Sequence, residues 1–184
     1  MSDSSNQAAL VKRARAGDAE AFGELYQAHL DAIYRYIYFR VGDTHDAEDL
    51  TEQAFMKAWE AMSDYRPRGH PFTSWVYRIA HNLVVDYHRR RKPVQAMEPA
   101  SQLARTGEPL ASLEQVIAAE EATALSRAIR QLSEEQQQVI VLRFIEGMRH
   151  AQVARVMGKS EGACRMIEYR ALIALHQILT SQSG

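Results

Sequence analysis

The sequence has one cysteine, no long apolar run and almost no net charge. The first two features each exclude a class of protein. Cys164 is the only cysteine, which rules out an intramolecular disulfide and any zinc site built from several cysteines. No uncharged apolar run approaches the roughly 18 residues that a membrane span needs. Residues 1–18 lack the apolar core of a signal peptide. A soluble, cytoplasmic protein with no direct membrane insertion is therefore predicted.

Alternating strand patterns are also missing, whereas apolar residues recur at helical spacing. Asp18 is placed to cap a long first helix. A second helix begins at Asp43 or the residue after it, and a third begins near Pro71, since proline is tolerated in a first helical turn. Ser112 and Ser133 are each followed three residues later by glutamine, the spacing of a capping box. Four further helices are predicted, over residues 113–131, 134–146, 149–157 and 161–180.

Proline is scarce except in one segment. Three of the five prolines lie in residues 93–111, where helical periodicity stops and little could form a core. This segment is predicted to be a flexible linker. The expected fold is all-α, with two small helical domains over residues 1–92 and 112–184, the second containing a helix-turn-helix.

The net charge of only −1 conceals an abrupt reversal of charge. Residues 43–64 carry seven acidic residues against one lysine, a sum of −6. Residues 65–92 carry seven arginines or lysines against one aspartate, a sum of +6. An acidic helix suits a basic protein partner, whereas a basic surface with aromatic rings suits nucleic acid.

The acidic helix over residues 43–62 carries Asp46, Asp49 and Gln53 on the face opposite its apolar stripe. A solvated surface is the simplest explanation. That explanation does not account for the near-absence of lysine or arginine four residues after each acid. A helix that served only solubility would usually include such ion pairs. A metal site at His45, Asp46 and Asp49 is a poor fit, because no second histidine has ligand spacing on that face.

The basic helix ends in four consecutive cations at residues 89–92. A favourable contact with the helix dipole accounts for one or two cations, not four. The rings could stack on unpaired bases, and the cations could neutralise the phosphates of the same strand. Phe72 and Trp75 are predicted to be core. The groups expected to face nucleic acid are Tyr65, Arg66, Arg68, Tyr77, Arg78, Asn82, Arg89 and Arg90.

Residues 149–172 have the layout of a helix-turn-helix, with a turn at Gly158 and Lys159 and a cap at Ser160. Cys164 is expected to be a small core residue of the second helix. The local charge is +3, and a recognition helix contacts base edges with its N-terminal residues. An ordinary helical hairpin is the alternative. The predicted DNA-facing residues are Lys159, Ser160, Arg165, Met166, Tyr169 and Arg170.

Three strings, DAEDLTEQAFMKAW, PFTSWVYRIAHNLVVDYHRRRK and LSEEQQQVIVLRFIEGMRHAQVARVMGKSEGA, closely resemble the bacterial extracytoplasmic-function sigma factors. The resemblance covers about residues 8–180. It implies a protein that binds core RNA polymerase, recognises promoter DNA and opens it, with no catalytic residue, metal or cofactor of its own. It also implies control by a separate anti-sigma factor.

The resemblance assigns each motif a partner. Residues 65–91 match the segment that captures the opened −10 element, and residues 160–170 match the −35 recognition helix. The chain departs from the family pattern at Cys164, Ile167 and Glu168, which bears on the −35 contacts. The residues that match the polymerase-binding helix are Asp46, Glu48, Asp49, Gln53 and Phe55.

Two other functions remain open on the residues alone. A stand-alone helix-turn-helix regulator would bind duplex DNA without polymerase, but it leaves the acidic helix unexplained. A hydrolase is weaker still, since no nucleophile–base–acid arrangement or pair of carboxylates stands out.

Overall fold

The computed structural model describes residues 2–91 and 113–182, and the regular structure in these two ranges is helical. Eight α-helices follow one another along the described chain. Their bounds are α1 Ser2–Arg15, α2 Ala19–Val41, α3 Thr44–Glu60, α4 Phe72–Arg91, α5 Leu113–Ile129, α6 Glu134–Ile140, α7 His150–Met157 and α8 Glu161–Gln182.

The predicted caps hold the helices where the sequence places them. The Asp18 carboxylate accepts hydrogen bonds from the backbone N–H groups of Glu20 and Ala21, both at 3.0 Å. These bonds and the nearby Arg13 hold the pKa of Asp18 below its usual value. Ser133 begins α6 with a complete capping box. The predicted linker at residues 93–111 and the cap at Ser112 lie outside the described residues.

Helix α1 was not predicted from the sequence. It is rich in polar residues, and its contact with the core rests on three small or medium apolar side chains, Leu10, Val11 and Ala14, all buried. The side-chain amide of Gln7 also lies 2.7 Å from His29 of α2. So few apolar positions give a weak periodic pattern, although packing on α2 is enough to order the helix.

The first domain packs α3 and α4 against the long helix α2. Aromatic pairs link the helices: Tyr26 of α2 meets the ring of Phe55 edge-on at 4.8 Å, and Phe22 lies 5.0 Å from Trp59. Helix α4 also packs on α2, with Tyr77 edge-on to Tyr36 at 5.1 Å, so the exposed faces of α3 and α4 belong to one packed unit.

The second domain contains the predicted helix-turn-helix. Helix α6 continues into a π-helical turn, Val141–Ile145, that leads to α7. Gly158 ends α7 with φ 64°, a left-handed conformation that glycine adopts without strain. Cys164 of α8 is fully buried, as predicted, and so is Ala171 on the same face of that helix.

The two domains are in contact along a broad seam. Buried side chains of both domains form one continuous apolar cluster, and α2 and α4 touch α5, α7 and the π-helical turn. Two helical domains are confirmed. Their mutual packing was not anticipated, because an interdomain contact leaves no local periodic pattern. Within the described ranges, no helix is both long and apolar enough to cross a membrane.

Candidate polymerase and nucleic-acid interfaces

The exposed face of α3 is acidic, as the sequence predicted. Glu48, Asp49 and Gln53 all point to solvent, and Met56 beside them is also exposed. Phe55 does not belong to this face. Its ring is only 3% exposed and packs on Tyr26. The prediction that Phe55 contacts polymerase directly therefore conflicts with its place in the core.

Asp46 lies at the edge of the same face but is engaged within the molecule. Its carboxylate accepts a hydrogen bond from the Tyr87 hydroxyl at 2.7 Å and pairs with Arg91 at 3.0 Å. Burial and the Asp46 carboxylate together raise the pKa of the Tyr87 hydroxyl. The side chain therefore ties the start of α3 to the end of α4 and is only partly available to a partner.

A groove follows the loop between α3 and α4. It has a volume of about 370 Å³, and Arg66, Arg68, His70 and Arg78 contribute cationic or titratable groups to its wall. Arg68 has φ 31°, a backbone conformation rare for a residue with a side chain. A second groove of about 520 Å³ adjoins it and includes Asn82. Both grooves are open and share Trp75 as a wall.

Tyr65 is buried beneath these grooves and does not present an exposed ring. Its ring is 6% exposed and stacks on Trp75 with the ring centres 4.4 Å apart. Its hydroxyl donates to the carbonyl of His70 at 3.2 Å. The expectation that Tyr65 offers a free ring to a base is wrong in this structure, because Trp75 and Phe72 already cover that ring. Trp75, predicted to be core, is only half-buried.

Arg78 points to solvent, as predicted, and the second domain contacts it, whereas the Tyr77 ring packs edge-on against Tyr36 of α2 at 5.1 Å and also meets the second domain. Tyr77 is 1% exposed, and its hydroxyl donates to Glu146 at 3.4 Å. This burial raises the pKa of Tyr77 well above its usual value. The predicted exposure of Tyr77 is therefore wrong. Its own domain, through Tyr36, and the second domain, through Glu146, both contribute to this burial.

Beside this contact lies a buried polar cluster that the sequence did not reveal. Arg40 is fully buried, and one of its amino groups donates to the Tyr36 hydroxyl at 2.7 Å and to His81 Nδ1 at 3.0 Å. Because arginine only donates, Nδ1 of His81 must accept, and the neutral ring carries its proton on Nε2. Burial and the Arg40 charge lower the pKa of His81 to about 4.

The rest of the basic surface on α4 is open. Asn82 and Arg90 are exposed, and Arg89 is held by an ion pair with Asp86 at 3.0 Å. Such an exposed pair contributes little to stability. Arg89 is therefore free to exchange Asp86 for another anion.

The outward face of α8 is the most accessible of the predicted surfaces. Met166 and Tyr169 are exposed, Tyr169 by 63%, and Arg170 also points to solvent. Arg165 pairs with Glu161 one turn earlier at 3.6 Å. Lys159 pairs with Glu135 at 2.7 Å, which raises the pKa of the lysine. Ser160 caps the helix through the N–H of Ala163 at 3.1 Å.

Glu168 holds the helix-turn-helix together. Its carboxylate contacts Arg143 of the π-helical turn at 3.2 Å and His150 of α7 at 2.6 Å. The sequence marked Glu168 only as a departure from the family pattern and assigned it no role. The available clue was the position of an acid between Arg165 and Arg170 in the recognition helix.

The comparisons with known proteins match both halves of the chain. Residues 25–94 match the family described as Sigma-70 region 2. Residues 122–175 match Sigma-70, region 4. The first match contains α3 and α4, and the second contains the helix-turn-helix.

The chain is 39% identical over 183 residues to the ECF RNA polymerase sigma factor BldN of Streptomyces coelicolor, covering 97% of this chain and 67% of that protein. It is 31% identical to ShbA of Streptomyces griseus, covering 92% and 93%. A solved structure of CnrH in complex with the cytosolic domain of CnrY superposes with a TM-score of 0.73 at 26% identity, covering 96% and 98%. On this shared sequence and fold, the chain belongs to the ECF RNA polymerase sigma factors.

Proposed function

We propose that three separate surfaces of this sigma factor divide the work of directing RNA polymerase to promoters. The exposed acids of α3 would bind core polymerase. The loop over residues 65–72 and the face of α4 would hold the unpaired −10 strand. The outward face of α8 would bind the −35 element in the major groove. The chain would supply no catalytic group, since the nucleotide chemistry belongs to the polymerase.

The observation that carries this proposal is the juxtaposition of opposite charges on one domain. Glu48 and Asp49 face solvent on α3, while Arg90 is exposed on α4 and the smaller groove beside Trp75 is lined by Arg66, Arg68 and Arg78. An acidic surface would repel DNA, so it fits a basic protein, whereas the basic surface fits nucleic acid. A single domain that must touch polymerase and DNA together needs both surfaces.

On α8, the proposal assigns different contacts to two arginines. Arg165 lies in the first turns of the helix, where a side chain can reach base edges. Arg170 lies further along and is better placed for a phosphate. Lys159 and Ser160 at the turn would add contacts to the DNA backbone, since the N-terminus of a helix and its cations favour anions.

Control by a separate protein is also proposed. CnrH, which shares this fold at 26% identity, was solved with the cytosolic domain of CnrY bound. By this similarity, we propose that an anti-sigma factor holds the chain until a signal releases it. The chain would act in the cytoplasm, where bacterial RNA polymerase transcribes.

The first test is reconstitution. Core polymerase, with and without the protein, is incubated with sheared genomic DNA from the organism that encodes the chain, and the 5′ ends of the transcripts are sequenced. Transcripts that start at a shared upstream sequence only when both proteins are present are expected. Tight binding to duplex DNA without polymerase, and no new start sites with it, would favour a stand-alone regulator instead.

The second test addresses α3. Asp49→Arg should weaken binding to core polymerase by roughly 1–3 kcal/mol, because reversing a charge within an interface replaces attraction with repulsion. Glu24→Arg on α2 is the matched control, since Glu24 is also an exposed acid of the first domain. Asp46→Arg is a poorer variant, because it would also break the contacts with Tyr87 and Arg91. Equal affinities of the Asp49 and Glu24 variants would remove α3 from the polymerase interface.

A further inference from the structure

We propose that Glu168 is a positioning residue for −35 recognition. Through Arg143 and His150, it fixes the orientation in which α8 presents Arg165 to the DNA. Glu168, Arg143 and His150 together form the Glu168 cluster. The inference rests on the proposed function for its assignment of α8 to the −35 element. It adds to that function a residue that determines promoter preference while facing protein.

One carboxylate oxygen of Glu168 joins three elements of the second domain. Oε2 accepts a hydrogen bond from Nε of Arg143, on the π-helical turn, at 3.2 Å. The same oxygen lies 2.6 Å from Nε2 of His150, the first residue of α7. Because an ionised carboxylate only accepts, His150 donates from Nε2. The Glu168 side chain is 14% exposed, so solvent and salt screen these contacts less than they screen a pair on the open surface.

The π-helical turn explains how an arginine within an apolar run reaches α8. In Val141–Ile145 the backbone takes one extra residue, and the N–H of Glu146 donates to the carbonyl of Val141 at 2.9 Å. Such turns are rare and occur frequently at functional sites. Arg143 also donates to the carbonyl of Met148, in the loop before α7. Its guanidinium is therefore anchored on both sides, and Glu168 binds to a fixed partner.

Apolar packing restrains the orientation of α8 only weakly. Within residues 161–181, the fully buried side chains are Cys164 and Ala171, and both are small. Larger apolar side chains of the helix, such as Ile167 and Leu175, are only partly buried. Burial of apolar surface is non-directional, whereas a hydrogen bond requires a defined distance and angle. The Glu168 cluster therefore supplies the directional restraint between α8 and the rest of the helix-turn-helix.

Arg165 depends on this restraint because little else holds it. It lies one turn before Glu168, and its exposed side chain is paired at 3.6 Å with the exposed Glu161 of the same helix. Its place relative to the DNA therefore follows the orientation of α8. Groups that recognise a ligand must be held within roughly 0.5 Å and 10–20° of the productive geometry. Loss of the Glu168 cluster would let α8 rotate and would weaken the discrimination among bases.

The experiment uses holoenzymes assembled from core polymerase and the full chain, which transcribe a library of −35 variants. Preference is the ratio between the best and the worst base at each position, so a uniform loss of activity cancels. Glu168→Gln removes the charge but keeps the shape, and Arg143→Gln removes its partner. Arg165→Ala is made alone and together with Glu168→Gln. Val139→Ala is the control for lost stability, since Val139 is a fully buried residue of α6 outside the Glu168 cluster.

Glu168→Gln should lower the preference at the positions that Arg165 reads by at least about fivefold, since a good arginine–base contact contributes discrimination of that order or more. Arg143→Gln should lower the preference at the same positions. Adding Arg165→Ala to Glu168→Gln should change the preference by less than about twofold further, because residues that act together do not contribute additively. Val139→Ala should keep the wild-type pattern.

A wild-type pattern in the Glu168→Gln holoenzyme would overturn the proposal. So would a change that Arg143→Gln does not reproduce, since Glu168 would then act on the DNA directly. The same change in Val139→Ala would also overturn it, because general loosening of the domain would then be the cause. Failure of the proposed function is a different result: Arg165→Ala alone would then leave the −35 preference unchanged, or the wild type would support no promoter-dependent transcription.

Discussion

The two surfaces predicted to meet DNA are in opposite states. On α4, the ring of Tyr77 is 1% exposed and lies against the second domain, whereas on α8 the ring of Tyr169 is 63% exposed and faces solvent. Tyr77 is enclosed by Tyr36 of its own domain and by Glu146 of the second, whereas Tyr169 projects from α8 into solvent. A helical pattern identifies the face that leaves a core, and the neighbouring domain decides whether solvent or protein meets that face.

The arginines of the two surfaces differ in the same way as the tyrosines. Arg78 on α4 donates to two backbone carbonyls of α7. Arg165 on α8 pairs only loosely, at 3.6 Å, with an exposed glutamate of its own helix. Exposed pairs of this kind are weak. A DNA strand that bound the α4 surface would therefore have to displace protein contacts, while DNA bound to the α8 surface would replace only water and a weak ion pair.

The difference between the buried α4 surface and the exposed α8 surface is tested most strongly by removing the rings of Tyr77 and Tyr169. Tyr77→Ala should lower the free energy of unfolding by roughly 3 kcal/mol, because it empties a buried aromatic site and leaves Glu146 without one donor. Tyr169→Ala should change it by less than about 0.5 kcal/mol, as exposed substitutions do. Urea denaturation followed by circular dichroism measures both. Similar losses for the two variants would mean that the domains are not packed in solution.

A second test separates the kinds of DNA contact on the open surface. Arg165→Ala should remove roughly 2 kcal/mol of discrimination among −35 sequences, whereas Arg170→Ala should weaken all of them alike. A library of −35 variants transcribed by each holoenzyme at two salt concentrations distinguishes the two effects. A uniform decrease with Arg165→Ala would mean that this side chain contacts the DNA backbone.

Glu168 provides a third test, within α8 itself. Glu168→Ala should destabilise the protein by about 1.5 kcal/mol, because Arg143 and His150 are left without their shared acceptor in a half-buried site. Glu161→Ala removes only the exposed pair with Arg165, and its effect should stay below about 0.5 kcal/mol. Thermal or urea unfolding measures the difference. Equal effects would show that the Glu168 contacts do not persist in solution.

The smallest expected effect concerns pH. Burial and Arg40 lower the pKa of His81 to about 4, so its neutral form stabilises the fold. That contribution is complete above the unfolded pKa of about 6.5 and is lost as the pH falls from there toward 4. Allowing for partial exposure, the loss between pH 7 and 5 should be about 1 kcal/mol.

His81→Gln is the matched variant, because it can accept the hydrogen bond from Arg40 but does not titrate. Its stability should vary less with pH than that of the wild type in urea titrations at pH 5, 6 and 7. His88 remains in both proteins, and burial lowers its pKa as well. The difference between the two profiles therefore isolates His81, and superimposable profiles would show that its ring is not held in the buried site.

Local chemistry was sufficient to predict most of the helices. Asp18 and Ser133 begin helices where the sequence predicted, since a cap depends on hydrogen bonds within one turn. The acidic face of α3 was predicted correctly for Asp49, because helical period alone places it opposite the core. Phe55 was grouped with the polymerase-binding residues because family resemblance does not separate a residue that contacts a partner from one that supports the helix behind it.

The sequence by itself determined two helical domains and the reversal of charge between α3 and α4 of the first, since helical period, caps and charge runs are properties of neighbouring residues. Only the tertiary structure decided that Glu146 would meet Arg35, that Arg130 would lie on Gly42 and that Tyr77 would be covered. Each of these contacts joins residues far apart in the chain. Their formation depends on how whole surfaces fit together, and no spacing within a single helix records that fit.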